Sequence, residues 1–168
     1  TDAQLWSARN AGRRHLVEFV RARTLATLAR RAAMGTNGDD HSWVDDQLDP
    51  GVLTIGFARR FATYKRATLL LQNLDWLKSL VCNDERPVVF VFAGKAHPAD
   101  VPGQDLIRRL TQIARTAEFE GRVLVVENYD LRLARRLVSG VDVWLNQGLR
   151  QVANIHPQMA QMTRIWCL

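Results

Sequence analysis

A chain of 168 residues is long enough for one domain with a real core, and 47% apolar with 24% charged residues is the balance of a folded globular protein, which excludes disordered and fibrous classes. The net charge is +6 at pH 7, and no apolar run reaches the roughly 18–20 residues a membrane span needs. Two distant cysteines (Cys82, Cys167) and four scattered histidines (15, 41, 97, 156) give neither metal-ligand spacing nor a disulfide framework, so no metal site is expected. With no secretory signal pattern, a soluble, cytoplasmic setting is the simplest expectation.

Residues 1–34 read as one helix, from residue 3 to about 33, with Leu5, Leu16, Phe19, Val20, Leu25 and Leu28 on its apolar side. Gly12 weakens its middle, and Gly35 with Gly38 closes it. The helix holds seven arginines (9, 13, 14, 21, 23, 30, 31) against Asp2 and Glu18, and these are expected to form a solvated basic face. No recognition motif or aromatic interleaving accompanies them, so neither nucleic acid nor a membrane is expected as partner. Residues 35–50 are polar, acidic and rich in turn formers, which predicts a plain connecting loop.

Residues 51–146 carry an alternating strand and helix pattern. Leu53 to Phe57 follows a Pro-Gly turn signal and reads as a buried strand. From about Ala62 the spacing of Leu69, Leu70, Leu74 and Leu77 predicts a helix, so Arg59, Arg60, Lys65 and Arg66 fall where a strand ends and a helix begins. Helix starts and the carboxyl ends of parallel strands favour anions, and guanidinium groups suit bidentate phosphate contacts. A phosphate site is one reading, and an ordinary basic surface is the other.

Pro87 to Gly94 is a continuous apolar run, as a strand buried on both faces requires, and it ends in Gly94-Lys95-Ala96-His97-Pro98. A helix from Asp105 to about Phe119, a strand over 122–126, a short helix from Leu131 to Val138 and a strand over 141–145 follow. Trp144 is expected in the core, Tyr129 as a packing or capping residue, and His97 as a loop residue. Strands alternating with helices predict an α/β fold, a Rossmann-like parallel sheet with flanking helices. Parallel strands would gather Arg59 to Arg66, Gly94 to His97 and Glu127 to Asp130 at one sheet edge, forming a ligand cleft. No dinucleotide fingerprint, phosphate-binding loop, nucleophile elbow or metalloprotease motif is present.

Four blocks in order carry a resemblance: Gly56-Phe-Ala-Arg-Arg-Phe-Ala-Thr-Tyr-Lys-Arg66, Phe92-Ala-Gly-Lys-Ala-His-Pro98, Val126-Glu-Asn-Tyr-Asp130, and Leu137-Val-Ser-Gly-Val-Asp-Val-Trp-Leu-Asn146. Together they resemble the α-glucan (glycogen, starch, maltodextrin) phosphorylases, closely over Leu48 to Asn146 and loosely over the first helix. The resemblance implies part of the C-terminal lobe of a two-lobed glycosyltransferase that converts α-1,4-glucan and phosphate to glucose 1-phosphate. It implies pyridoxal phosphate, held as a Schiff base and exchanging protons through its phosphate. By motif, Arg60 and Lys65 correspond to the pair that binds substrate phosphate. Tyr64 would face the glucosyl unit, while Arg59 and Tyr129 would lie near the cofactor.

Residues 147–168 depart from the family. In place of the segment carrying the cofactor lysine stands a tail unlike it, and no lysine follows Lys95. A frameshifted or truncated reading frame is expected, giving a fragment without the N-terminal lobe and inactive alone. The rival expectations are a nucleotide-sugar glycosyltransferase of the same architecture and a non-catalytic sugar-phosphate- or anion-binding domain.

Overall fold

A computed structural model describes residues 1–35, 43–44, 48–62 and 69–145. Its elements are α1 (Asp2–Ala33), β1 (Leu53–Ala58), a 3-10 turn (Leu69–Gln72), α2 (Leu74–Val81), β2 (Val88–Ala93), α3 (Val101–Ala114), β3 (Val123–Val126), α4 (Leu131–Gly140) and β4 (Val143–Trp144). The four strands are all parallel, in the order β3-β2-β1-β4. The expected Rossmann-like parallel sheet is therefore present.

Side-chain alternation along the strands builds two cores. Val89, Val91, Ala93, Leu124 and Val126 face Leu16, Val17 and Val20 of α1 and Leu133 and Leu137 of α4. Phe90, Phe92, Ile55, Phe57 and Val123 face Leu77 and Val81 of α2, Leu110 of α3, and Phe119. Helices thus cover both faces, which is why β2 is apolar at every position. Burying one such Leu, Val or Phe side chain contributes roughly 1.5–3 kcal/mol, so these stripes dominate the energetics of helix docking.

Several expectations change. On α1, Leu16, Val20 and Leu28 are buried, but Leu5 is 72% and Leu25 39% exposed, so the apolar side is only partly covered. Gly12 does more than weaken α1: a Cβ there would meet the Ser139 carbonyl oxygen at 2.5 Å, and one on Gly140 would meet Leu16 Cβ at 2.4 Å. The two glycines let α1 and α4 cross backbone to backbone. The expected plain loop contributes Val44 and Leu48 to the core, with Trp43 packed against it.

Helix α3 starts and ends earlier than its periodicity suggested. Asp100 caps it through the Gly103 N–H and Pro102 occupies its first turn. Between β1 and α2 the leucine spacing straddles the 3-10 turn, and the α-helix opens only at Leu74, capped by Asn73. Trp144 is 37% exposed because β4 is a two-residue edge strand.

Candidate anion site at the carboxyl edge of the sheet

The register shows the convergence that parallel strands would bring. Ala58 pairs with Ala93, and Ala93 with Val126, so β1, β2 and β3 end level with one another. Arg59, Gly94 and Glu127 are the residues that leave the sheet at that level. The loops after β1 and β2 are interlocked, since the Phe61 N–H donates to the Lys95 carbonyl at 3.0 Å. Gly94 has φ +157°, and a Cβ there would stand 2.1 Å from the Arg59 carbonyl oxygen and 2.9 Å from the Phe61 ring. Only glycine lets Arg59 and Arg60 lie against the Lys95 loop at this distance.

Of the candidate residues, Arg59 is half-buried, Arg60 exposed, and Tyr129 partly buried against the α1-side core. Tyr64 and Lys65 lie outside the described residues, as does the start of the tail at 147. Lys95 is exposed. The side chains of Arg59, Arg60 and Lys95 form no ion pair with the carboxylates of other described residues.

The carboxylates at the neighbouring strand end are differently placed. Glu127 is held by Arg30 at 3.3 Å and by Arg31, and Asp130 by Arg23 at 2.7 Å. Asn128 turns the chain with φ 57°, a left-handed conformation that asparagine tolerates, and its carbonyl accepts from Arg23. Asp130 then caps α4 through the Leu133 N–H at 2.8 Å. The hydrogen bond from Arg23, followed by that from the Leu133 N–H, holds the Asp130 carboxyl below its ordinary value.

Arginine contacts extend along α1. Asp142, just before β4, accepts from Arg9 at 3.1 Å and Arg13 at 2.8 Å, and takes the Thr54 N–H at 2.8 Å. Arg13 is buried and also donates to the Pro50 carbonyl. The expected solvated basic face is therefore corrected: most of these arginines bind specific acceptors on the sheet domain. Arg23, Arg30 and Arg31 were missed as site neighbours, although an arginine surplus in one segment and carboxylates at strand ends in another is a readable charge match.

A separate cleft opens beside edge strand β3, lined by Thr27, Arg31, Trp43, Thr111, Arg115 and Glu127 among others. It contains none of the candidate phosphate-binding residues. Among the described residues, no group of three His, Cys, Asp or Glu could hold a metal ion, and no helix is long and apolar enough to cross a membrane.

A parallel sheet covered by helices on both faces, with Arg59, Arg60 and Lys95 leaving its carboxyl edge, defines a Rossmann-like α/β domain. No family model matches the chain. It is 42% identical over 149 residues to a maltodextrin phosphorylase of Thermococcus litoralis, covering 89% of this chain and 17% of that protein. It is 43% identical over 148 residues to a glycogen phosphorylase of Mycobacterium tuberculosis (88% and 17%) and 41% identical over 150 residues to one of Aquifex aeolicus (88% and 21%). The chain is thus related along most of its length to the maltodextrin and glycogen phosphorylases, the α-glucan phosphorylase family that the four blocks resemble. It spans only 17–21% of those relatives' length.

Proposed function

We propose that this chain is the phosphate-side segment of an α-glucan phosphorylase, carrying Arg60 and Lys65 as the substrate-phosphate pair and Tyr64 as a contact to the glucosyl unit. The observation that supports this reading most is the level ending of β1 and β2, with the Lys95 loop bonded to Phe61. It presents Arg59 and Arg60 beside Lys95 with no carboxylate of the described residues to quench them.

The chemistry asks for such a cluster. In phosphorolysis the glycosidic C1–O4 bond breaks, a bond from C1 to a phosphate oxygen forms, and O4 leaves with a proton. The attacking phosphate carries negative charge, and fixed cations stabilise it, the more so where a second lobe excludes water. Arg60 supplies a planar fork for two phosphate oxygens, and Lys65 a point charge. The substrates in this reading are α-glucan or maltodextrin, phosphate and glucose 1-phosphate, with the family's N-terminal lobe as the partner that completes the cleft.

Pyridoxal phosphate does not fit this chain as a covalently held group. The sequence has three lysines, 65, 78 and 95. Lys78 is ion-paired to Glu118 at the exposed end of α2, Lys95 stands exposed in a loop, and Lys65 belongs to the phosphate pair of this reading. Arg59 and Tyr129 offer non-covalent contacts only. The isolated chain is accordingly inactive in this reading.

A phosphorolysis assay with maltodextrin, phosphate and added pyridoxal phosphate tests the inactivity. Glucose 1-phosphate produced by the chain alone would show that it needs neither a covalent cofactor lysine nor a second lobe. Titration with glucose 1-phosphate tests the site: saturable binding that weakens at least tenfold in Arg60→Ala and Lys65→Ala is expected. Undiminished binding by both folded variants would overturn the assignment.

A further inference from the structure

We infer that Arg31, with Arg30, is a positioning residue for the anion site: by holding Glu127, it keeps the carboxylate at the end of β3 from opposing a phosphate bound at Arg59 and Arg60. The inference rests on the phosphate-site reading above and adds to it a role for α1.

Three observations carry it. Ala58, Ala93 and Val126 are in register, so Glu127 leaves the sheet level with Arg59, two strands away. Strands lie about 4.8 Å apart, which puts the two backbones roughly 10 Å from each other, close to one Debye length at physiological salt. Lys95 leaves from the strand between them, one residue beyond that level. An unmatched carboxylate here would both repel a phosphate and draw Lys95 toward itself.

The carboxylate is not unmatched. Arg30 meets one Glu127 oxygen at 3.3 Å and Arg31 the other, so each oxygen has its own guanidinium. The next carboxylate, Asp130, is taken by Arg23 and by the first turn of α4. Both acidic groups at the β3 end are thereby neutralised from the α1 side. The exposed Arg30–Glu127 contact adds little stability, as is usual for surface pairs. Its larger effect is on the field at the sheet edge.

The test is titration of the folded chain with inorganic phosphate, followed by amide chemical shifts. Taking the roughly 10 Å between the two strand ends as the separation, a unit charge uncovered at Glu127 corresponds to a roughly two- to fivefold change in phosphate affinity. Arg30→Gln/Arg31→Gln is expected to weaken phosphate binding by that factor, and addition of Glu127→Gln to restore it. Arg108→Gln, which removes a cation on α3 paired with Asp105, is expected to leave affinity unchanged. An equal loss in Arg108→Gln would mean net charge alone acts, and failure of Glu127→Gln to restore binding would mean Glu127 is not the group being screened; either overturns the inference. If the double variant loses helix by circular dichroism, Arg30→Gln alone, which gives up only the longer and exposed contact, carries the same comparison. Absence of saturable phosphate binding in the unaltered chain, or undiminished binding in Arg60→Ala, removes the underlying site reading instead.

Discussion

The Phe61 N–H and the Lys95 carbonyl, 3.0 Å apart, join the loops that follow two adjacent parallel strands. The bond fixes the direction in which the chain leaves β1, and with it the placement of the Arg59-Arg60 pair relative to Lys95. Gly94 makes the approach possible, because any side chain there would overlap the Arg59 carbonyl. Replacing Gly94 with alanine is expected to destabilise the fold by about 2–3 kcal/mol, the usual range for overpacking with backbone strain. Urea denaturation measures it, and a midpoint equal to that of the unaltered chain would show that the loops separate freely.

Asp142 gathers Arg9, Arg13 and the Thr54 N–H at the meeting point of α1, β1 and β4. Its side chain is 11% exposed and that of Arg13 8%, so removing the carboxylate leaves a buried guanidinium with a lost partner. Asp142→Ala is expected to cost about 3 kcal/mol. The loss should read out as a lowered denaturation midpoint together with faster exchange of α1 amides.

The crossing of α1 and α4 depends on two glycines. A Cβ on Gly140 would lie 2.9 Å from the Gly12 carbonyl oxygen as well as 2.4 Å from Leu16 Cβ, so the helices would have to move apart. Gly140→Val is expected to lower stability by about 2–3 kcal/mol, and more than Ser139→Val next to it, whose side chain is exposed. Thermal unfolding of the two variants side by side decides this, and equal melting temperatures would contradict the close crossing.

Asp130 gives the acid limb of stability a defined contributor. Its ordinary pKa is 3.8, and Arg23 with the Leu133 N–H lowers it in the folded chain. A group depressed on folding stabilises above its unfolded value, and that contribution fades as pH falls through 3.8 toward the folded value. Asp130→Asn should therefore be less stable than the parent near neutrality and show a shallower loss on acidification below about pH 4. Carboxyl carbon shifts of Asp130 that titrate at or above the ordinary value would contradict this.

The strands were legible because alternation and apolar continuity are local signals. Val88–Ala93 buries both its faces, and its sequence says so within six residues. Convergence of the three polar clusters also followed from the sequence, since parallel pairing of consecutive strand-helix units fixes which ends share an edge. Trp144 was misjudged because burial of an edge residue depends on what lies beyond the strand, which the strand's own composition does not encode. The leucines at 69–77 misled because one periodicity spans a 3-10 turn and an α-helix. The fate of the arginines was hidden for a different reason: Arg31 and Glu127 are 96 positions apart, and pairing at that separation is invisible to any window of neighbours.

That separation also bears on how the chain is made. Helix α1 is made well before its acceptors: Arg23 waits for Asp130, 107 positions later, and Arg13 waits for Asp142, 129 positions later. Until Asp142 has been translated, Arg9 and Arg13 have their guanidinium groups but not the carboxylate that holds both. A product stopped before Asp142 would keep the apolar stripe of α1 and its pairs with Glu127 and Asp130, and lose the carboxylate that anchors Arg9 and Arg13. A helix that precedes the sheet in the sequence thus takes its final place only after the last strand's neighbour, Asp142, has been made.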